Sequence, residues 1–169
     1  DASGLASWQT PVAGGGTLDQ AYDMGGPGNG RIITADSGAV SIQGTDGLQV
    51  TGNYGFGKPL GLSGPGSKMF YFPKKGAFRS GTVNTNFWDE DSLGIYSFSS
   101  GFDTKATGSG STAMGVATSA KGQGSIAVGQ YSEAQGEEGA VALGNSTLAR
   151  AQSSVALGMY NDPINTSSI

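Results

Sequence analysis

A repeat of 14 residues in the C-terminal half constrains the fold of this chain more than any other feature. Glycines that follow an alternating small and apolar pentad recur at separations of 14, 14, 15 and 14 residues; they are Gly101, Gly115, Gly129, Gly144 and Gly158. An alanine stands two residues before each of the last four: Ala113, Ala127, Ala142 and Ala156. A fixed period of this kind indicates a solenoid, in which units too small to bury a core alone stack on one another.

A second pentad lies half a period later and keeps the same rhythm. It reads Thr104–Gly108, Thr118–Gly122, Ser132–Gly136 and Thr147–Ala151, with an alanine at the centre of each copy. The one extra residue therefore falls between the two pentads, near Glu137–Gly139. Half a coil has room for one short strand and a turn, so the pattern predicts flattened two-sided coils that stack as parallel strands about 4.8 Å apart.

The first pentads alternate as strands do, which gives each coil two faces. We expect the large apolar members to form a ladder in the interior: Met114, Ile126, Val128, Val141, Leu143, Val155 and Leu157. The other face carries Ala113, Ala127, Ala142 and Ala156 and is flat and narrow, so we expect it to contact another chain. The alternative, that alanine fills a tight interior, stays open.

The rest of the chain divides into three further segments. Residues 1–52 are rich in glycine; Ala39–Gly44 and Gly47–Gly52 alternate as two short strands, and Thr17–Asp23 has the composition of one or two helical turns. Residues 53–96 hold most of the large aromatic side chains, and we expect them to cap the open end of the repeat stack. The repeats themselves span 97–158, and 159–169 form a tail or linker.

Several classes of function are disfavoured by what the chain lacks. It has no histidine and no cysteine, so the commonest general bases, nucleophiles and soft metal ligands are missing. A net charge of −4 without a basic stripe disfavours nucleic acid, and no apolar run is long enough to span a membrane. We expect no catalytic residue, cofactor or metal; Asp89 and Asp91 are candidate calcium ligands, but a solvated turn is the favoured interpretation.

One cluster of aromatic and basic residues is a candidate ligand contact. Phe70, Tyr71 and Trp88 lie in the aromatic segment together with Lys68, Lys74, Lys75 and Arg79. Exposed aromatics and cations bind carbohydrates or acidic surfaces well. The alternative is that the aromatics are buried and that the basic residues keep this segment soluble.

The repeats resemble a known family. Gly124–Gly129 and Ser153–Gly158, with Thr/Ser-x-Ala-x-Gly half-repeats between them, are similar to the head repeats of YadA-like trimeric autotransporter adhesins. The resemblance covers residues 97–158 and implies a left-handed parallel β-roll, three chains around one axis, and binding to host matrix or other surfaces. The upstream part, from Gly16–Asp23 to Trp88, resembles secreted bacterial fibre proteins and phage tail-fibre-like proteins.

These observations together predict an all-β, homotrimeric segment of an extracellular or cell-surface fibre. Its expected role is attachment to a host or environmental surface, through a glycan or matrix protein, or spacing, without catalysis. One alternative is a glycan-binding receptor module like that of a phage tail fibre. Another is a subunit of a filament polymerised end to end. Since neither a heptad stalk nor a membrane anchor follows Ile169, we expect a fragment, a processed product or a separately secreted fibre.

Overall fold

A computed structural model describes residues 47–161, together with 39, 41, 42 and 45. The chain divides into two units, Asp1–Leu48 and Gln49–Ile169. The predicted turns over Thr17–Asp23, most of the predicted strand Ala39–Gly44 and the tail beyond residue 161 lie outside the described residues. Gly47–Gly52 is described and is not a strand. Its side chains are exposed and no described strand pairs with it, so the backbone hydrogen bonds that define a strand are missing.

In the described part of the second unit, all regular secondary structure is β-strand apart from one 3₁₀ turn, Glu90–Ser92, so the predicted all-β class is confirmed. The strands are β1 (Gly66–Phe72), β2 (Ala77–Val83), β3 (Phe98–Phe102), β4 (Lys105–Ala106), β5 (Thr112–Val116), β6 (Ser119–Ala120), β7 (Ile126–Gln130), β8 (Glu133–Ala134), β9 (Val141–Asn145), β10 (Leu148–Ala149) and β11 (Val155–Met159). In the described part of the chain, no helix is long and apolar enough to cross a membrane.

The strands form two sheets that make up a parallel β-solenoid of about four turns. The front sheet has seven strands in the order β1-β2-β3-β5-β7-β9-β11, and the back sheet has four in the order β10-β8-β6-β4. Residues one repeat apart are direct partners: Ile126 pairs with Val141, and Val141 with Val155. Ala134 pairs with Ala149, 15 residues on, so the extra residue lies between the pentads as predicted.

Two kinds of position allow the chain to turn between the sheets. One is a column of left-handed residues after each front strand, where Asp103, Ala117, Tyr131 and Ser146 have φ between 49° and 54°. The other is the glycine column within the front strands. At Gly129 φ is +120°, and a Cβ atom would lie 1.9 Å from the carbonyl oxygen of Gly144 in the next turn. Only glycine lets successive turns approach so closely.

The two faces of the repeat are reversed relative to our expectation. Ala113, Ala127 and Ala142 are completely buried inside their own coil, together with the alanines of the back sheet. The large residues of the ladder point outward, and Ile126, Val155 and Leu157 are 38%, 62% and 54% exposed. The prediction that the alanines contact another chain is therefore wrong. The sheets of so small a coil lie too close together for larger side chains, and alanine, serine and threonine fill the interior.

A β-hairpin covers the N-terminal end of the front sheet. Strand β2 pairs in parallel with β3 in the same register as the repeats, so Arg79 aligns with Ser99 and Gly81 with Gly101. Strand β1 then pairs with β2 in the antiparallel direction. The hairpin thus continues the front sheet by two strands beyond the repeats.

Side chains rather than a strand cover the same end of the back sheet. Within the stack, the carbonyls of Thr118 and Ala120 accept N–H groups of the preceding turn at 2.8 and 3.0 Å. The equivalent carbonyls of the first turn have no preceding turn. Trp88 Nε1 donates to the Thr104 carbonyl at 2.8 Å, and Arg79 Nη2 to the Ala106 carbonyl at 2.9 Å. The Ala106 carbonyl also accepts the Gly94 amide at 3.1 Å, so Trp88 supplies the donor for the Thr104 carbonyl, whereas Arg79 adds a second donor at Ala106.

Candidate functional site: the outer surfaces of the roll

The outer face of the front sheet is an uncharged, largely apolar surface. Three columns of side chains point outward from β3, β5, β7, β9 and β11. They are Phe98, Thr112, Ile126, Val141 and Val155; Ser100, Met114, Val128, Leu143 and Leu157; and Phe102, Val116, Gln130, Asn145 and Met159. No column contains a charged residue. We call this surface, with its continuation on the hairpin, the front face.

The hairpin extends all three columns, the third with the polar residues Thr82 and Ser67. Phe78 stacks on Phe98 with ring centroids 5.4 Å apart, and Tyr71 is the cross-strand partner of Phe78. Met69 lies opposite Ser80 and is 73% exposed. Seven strands spaced at about 4.8 Å, each with about 17 Å of outward surface, give a flat face of roughly 500 Å². A face of this size that is apolar over most of its positions is a candidate interaction site.

The outer face of the back sheet has the opposite character. Apart from Leu148 at the end of one column, its residues are polar or charged: Lys105, Ser119 and Glu133 in that column and Thr107, Lys121, Gln135 and Arg150 in the other. Lys121 forms an ion pair with Glu133 across adjacent strands. Such a surface is suited to water, and to polar ligands, rather than to close packing against another sheet.

The three residues predicted to contact a ligand do not form one site. Trp88 is completely buried and cannot reach a ligand, which corrects that prediction. Phe70 packs against the cluster of Phe72, Ala77 and Leu93 and meets the Trp88 ring edge-on at 6.5 Å. Of the three, Tyr71 is the most exposed, and it belongs to the front face. Alternation within β1 separates Phe70 from Tyr71, because neighbouring residues point to opposite faces.

The basic and acidic groups of this segment also have structural partners. Arg79 is completely buried, and desolvation lowers its pKa to about 10, so the guanidinium stays protonated at neutral pH. The carboxylate of Asp89 accepts a hydrogen bond from the Gly64 amide at 2.7 Å. Glu90 accepts bonds from the Leu60 amide at 2.5 Å and from Lys74 at 3.0 Å, and these bonds lower its pKa. No cluster of metal-ligand residues occurs among the described residues.

A groove lies at the corner between the two sheets, beside the first turns of the solenoid. Its volume is about 440 Å³, and its lining includes Phe87, Lys105, Tyr131 and Glu133. Tyr131 is 59% exposed and Phe87 half-buried. The sequence analysis missed this site, since Phe87 comes from the aromatic segment and the other residues from different turns. The sequence signal was the tyrosine at a corner position that holds Asp103, Ala117 and Ser146 in other turns.

Comparison with known proteins identifies the repeats. Residues 93–118, 106–132 and 136–161 match the family model YadA head domain repeat (2 copies). The predicted resemblance is thus confirmed for the solenoid, while residues 1–92 lie outside the match. No curated protein and no solved structure matches the chain.

Proposed function

We propose that this protein is a homotrimeric adhesive segment of an extracellular fibre, in which three chains pack through their front faces. The YadA head is an adhesin domain found at cell surfaces, and residues 93–161 carry its repeats. Adhesion at a cell surface is therefore the function that the family supports. The trimer, its interface and the absence of catalysis are our proposal.

The observation that carries this proposal is the composition of the front face. A single chain exposes valine, leucine, isoleucine, methionine and phenylalanine in continuous columns with no charge among them. Burial of such residues contributes about 25 cal/mol per Å² of apolar surface, which is the main driving force for association. The charged residues of the repeats lie instead on the back sheet and at the corners, which remain in water.

A second copy of this chain is the occupant that fits the front face. Identical columns at identical heights let one chain match another in register over the whole stack. Three copies around one axis form a closed assembly in which every front face is covered. The family resemblance implies the same stoichiometry. The left-handed winding and the segment boundaries at residues 52, 96 and 158 remain predictions.

Molar mass in solution tests the proposal. Light scattering coupled to gel filtration should give three times the chain mass of 16.9 kDa, independent of protein concentration over the micromolar range. Negative-stain electron micrographs of the same sample should show short rods of fixed length. A mass of one chain would contradict the proposal, and continuous fibres would favour the filament alternative.

A further inference from the structure

We infer that the corner groove beside Tyr131 binds an acidic saccharide, that is, a pyranose that carries a carboxylate. This inference rests on the proposed adhesive function and names the class of surface ligand that it requires. The groove belongs to one chain and is formed by the loop before the repeats and by the first turns of the solenoid.

The first argument is the size and lining of the groove. Its volume of about 440 Å³ falls within the range of small-ligand sites, roughly 300 to 1,000 Å³. Ala117 and Ser119 are the small residues of its lining, and the aromatic ones are Phe87 and Tyr131. Aromatic rings next to polar groups suit a sugar ring, which presents both C–H groups and hydroxyls.

The second argument is the position of the Tyr131 ring. At 53°, the φ of this residue is close to that of the equivalent residues of the other turns, including Tyr160, so the turn itself accounts for the backbone conformation. The Tyr131 ring is 59% exposed and lines the groove together with Phe87, which comes from a different segment. An exposed ring in this position can pack against the C–H face of a sugar.

The third argument is the charge distribution in the groove. Lys121 is paired with Glu133, and Asp103 accepts the Asn84 amide at 2.6 Å. The ammonium group of Lys105 lies 4.9 Å from the centroid of the Phe87 ring, and within residues 47–161 it forms no ion pair. A carboxylate on the ligand can pair with Lys105, while its sugar face packs on the aromatic rings.

The groove is formed at the corner of Tyr131 and does not recur in every turn of the solenoid. One turn further on, Ser146 and Leu148 occupy the positions of Tyr131 and Glu133. Phe87 comes from a loop that lies before the first turn. The sequence thus supplies two aromatic rings and an unpaired cation at one corner only of the described stack.

A glycan array that includes uronate, sialic acid and neutral oligosaccharides tests the ligand class. We expect the bound set to consist of carboxylate-bearing sugars. Titration calorimetry with the strongest of these and with its methyl ester should show at least about fivefold weaker binding of the ester, since the pair with Lys105 is lost. Binding to no sugar, or equal binding of acid and ester, would overturn the inference.

Two variants assign the binding to the groove. Tyr131→Gly removes the ring and relaxes the backbone, so binding should weaken about tenfold without loss of thermal stability. Lys105→Met keeps the contact with Phe87 and should abolish the preference for acid over ester. Tyr160→Gly is the matched control, because Tyr160 has a φ of 54° at the equivalent corner far from the groove. It should bind as the wild type does.

The oligomeric state separates this inference from the proposed function. Molar mass is measured on every variant, and each should remain trimeric. If the wild-type protein is trimeric but Tyr131→Gly binds as strongly as the control, the groove is not the saccharide site, although the proposed trimer is supported. If the protein is monomeric yet binds through Tyr131, the proposed trimer is wrong and the saccharide site in the groove is supported.

Discussion

The front and back sheets of the roll share one interior and differ completely outside it. Both turn small residues inward, with Ala127 in the front sheet and Ala120 in the back sheet completely buried. Outward, the front sheet shows uncharged apolar columns, whereas the back sheet shows lysine, glutamate and glutamine. The interior fixes the coil geometry, and the exterior of each sheet is free to serve a different purpose. This difference is the basis of the proposed packing of chains through the front sheet, with the back sheet left in water.

The two sheets also end differently at the N-terminal side. The front sheet is continued by the backbone of a hairpin, which keeps the outward columns in register. At the end of the back sheet, Trp88 donates to the Thr104 carbonyl, and Arg79 and the Gly94 amide both donate to the Ala106 carbonyl. The end of the back sheet therefore depends on a few separate hydrogen bonds, mostly from side chains, while the end of the front sheet depends on a whole strand pair.

A charged residue introduced on the front face should have the largest effect on the protein, because it should dissociate the trimer. Leu143→Glu puts one carboxylate per chain into the proposed interface, where each unpaired buried charge costs several kcal/mol. We expect the molar mass to fall from three chains to one. Gln135→Glu is the matched control on the outer face of the back sheet, and it should leave the trimer intact. A trimeric Leu143→Glu protein would show that the front face is not the interface.

Close approach between turns gives the next largest effect. In Gly129→Ala the new Cβ meets the backbone of Gly144 at 1.9 Å, which no side-chain movement relieves. We expect a loss of more than about 4 kcal/mol in unfolding free energy, or failure to fold. Gly158 has a similar positive φ, but a Cβ there meets only the Asn161 side chain, at 3.2 Å, so Gly158→Ala should lose only about 1 to 3 kcal/mol from backbone strain. Denaturant titration of both variants measures the difference, and equal losses would contradict the close-approach explanation.

The repeat pattern was enough to predict the register of the stack, including the extra residue between Ala134 and Ala140. It could not show which face of each pentad lies inside. Alternation separates Ala127 from Ile126 and Val128, but the inside is decided by the spacing of the two sheets, which depends on corners such as Tyr131. A general preference for burying large residues gave the wrong answer here, because this coil is too flat to enclose them.

A cap from residues 53–96 was expected, but the contacts that form it, like the groove, could not be predicted from the sequence, for a different reason. Each joins residues from separate segments, such as Phe87 with Tyr131 or Arg79 with Ala106. Their proximity follows from the hairpin's place in the front sheet. Arg79 looked like one more solubilising cation beside Lys74 and Lys75. Only its register with Ser99 shows that it points into the coil.

Loss of the Trp88 hydrogen bond at the end of the back sheet should lower the stability of the protein moderately. Trp88→Phe keeps an aromatic ring in the buried site but removes the Nε1 donor, which leaves the Thr104 carbonyl without this partner. A buried acceptor without a partner costs about 1 to 3 kcal/mol, and the denaturation midpoint should fall accordingly. Phe87→Leu is the control on the same loop, since its half-buried ring donates no hydrogen bond. If both variants lose equally, ring packing and not the hydrogen bond stabilises this end.

The smallest effect concerns the loop of residues 60–64, which is held to the start of the 3₁₀ turn by hydrogen bonds from the Leu60 amide to Glu90 and from the Gly64 amide to Asp89. The Leu60 amide bond, and then Lys74, lower the pKa of Glu90 below its ordinary value of 4.5. A carboxyl group with a lowered pKa in the folded protein contributes stability above pH 4.5, and that contribution is lost as pH falls through the lowered value.

Hydrogen exchange of the Leu60 amide measures this contribution. After correction for the intrinsic pH dependence of exchange, the amide should lose protection only below pH 4.5. In Glu90→Gln the protection should be weaker at neutral pH and should no longer change with acid. A wild-type Leu60 amide that stays equally protected down to pH 3 would mean that packing of Leu60 against Phe72 and Leu93, rather than Glu90, holds the loop.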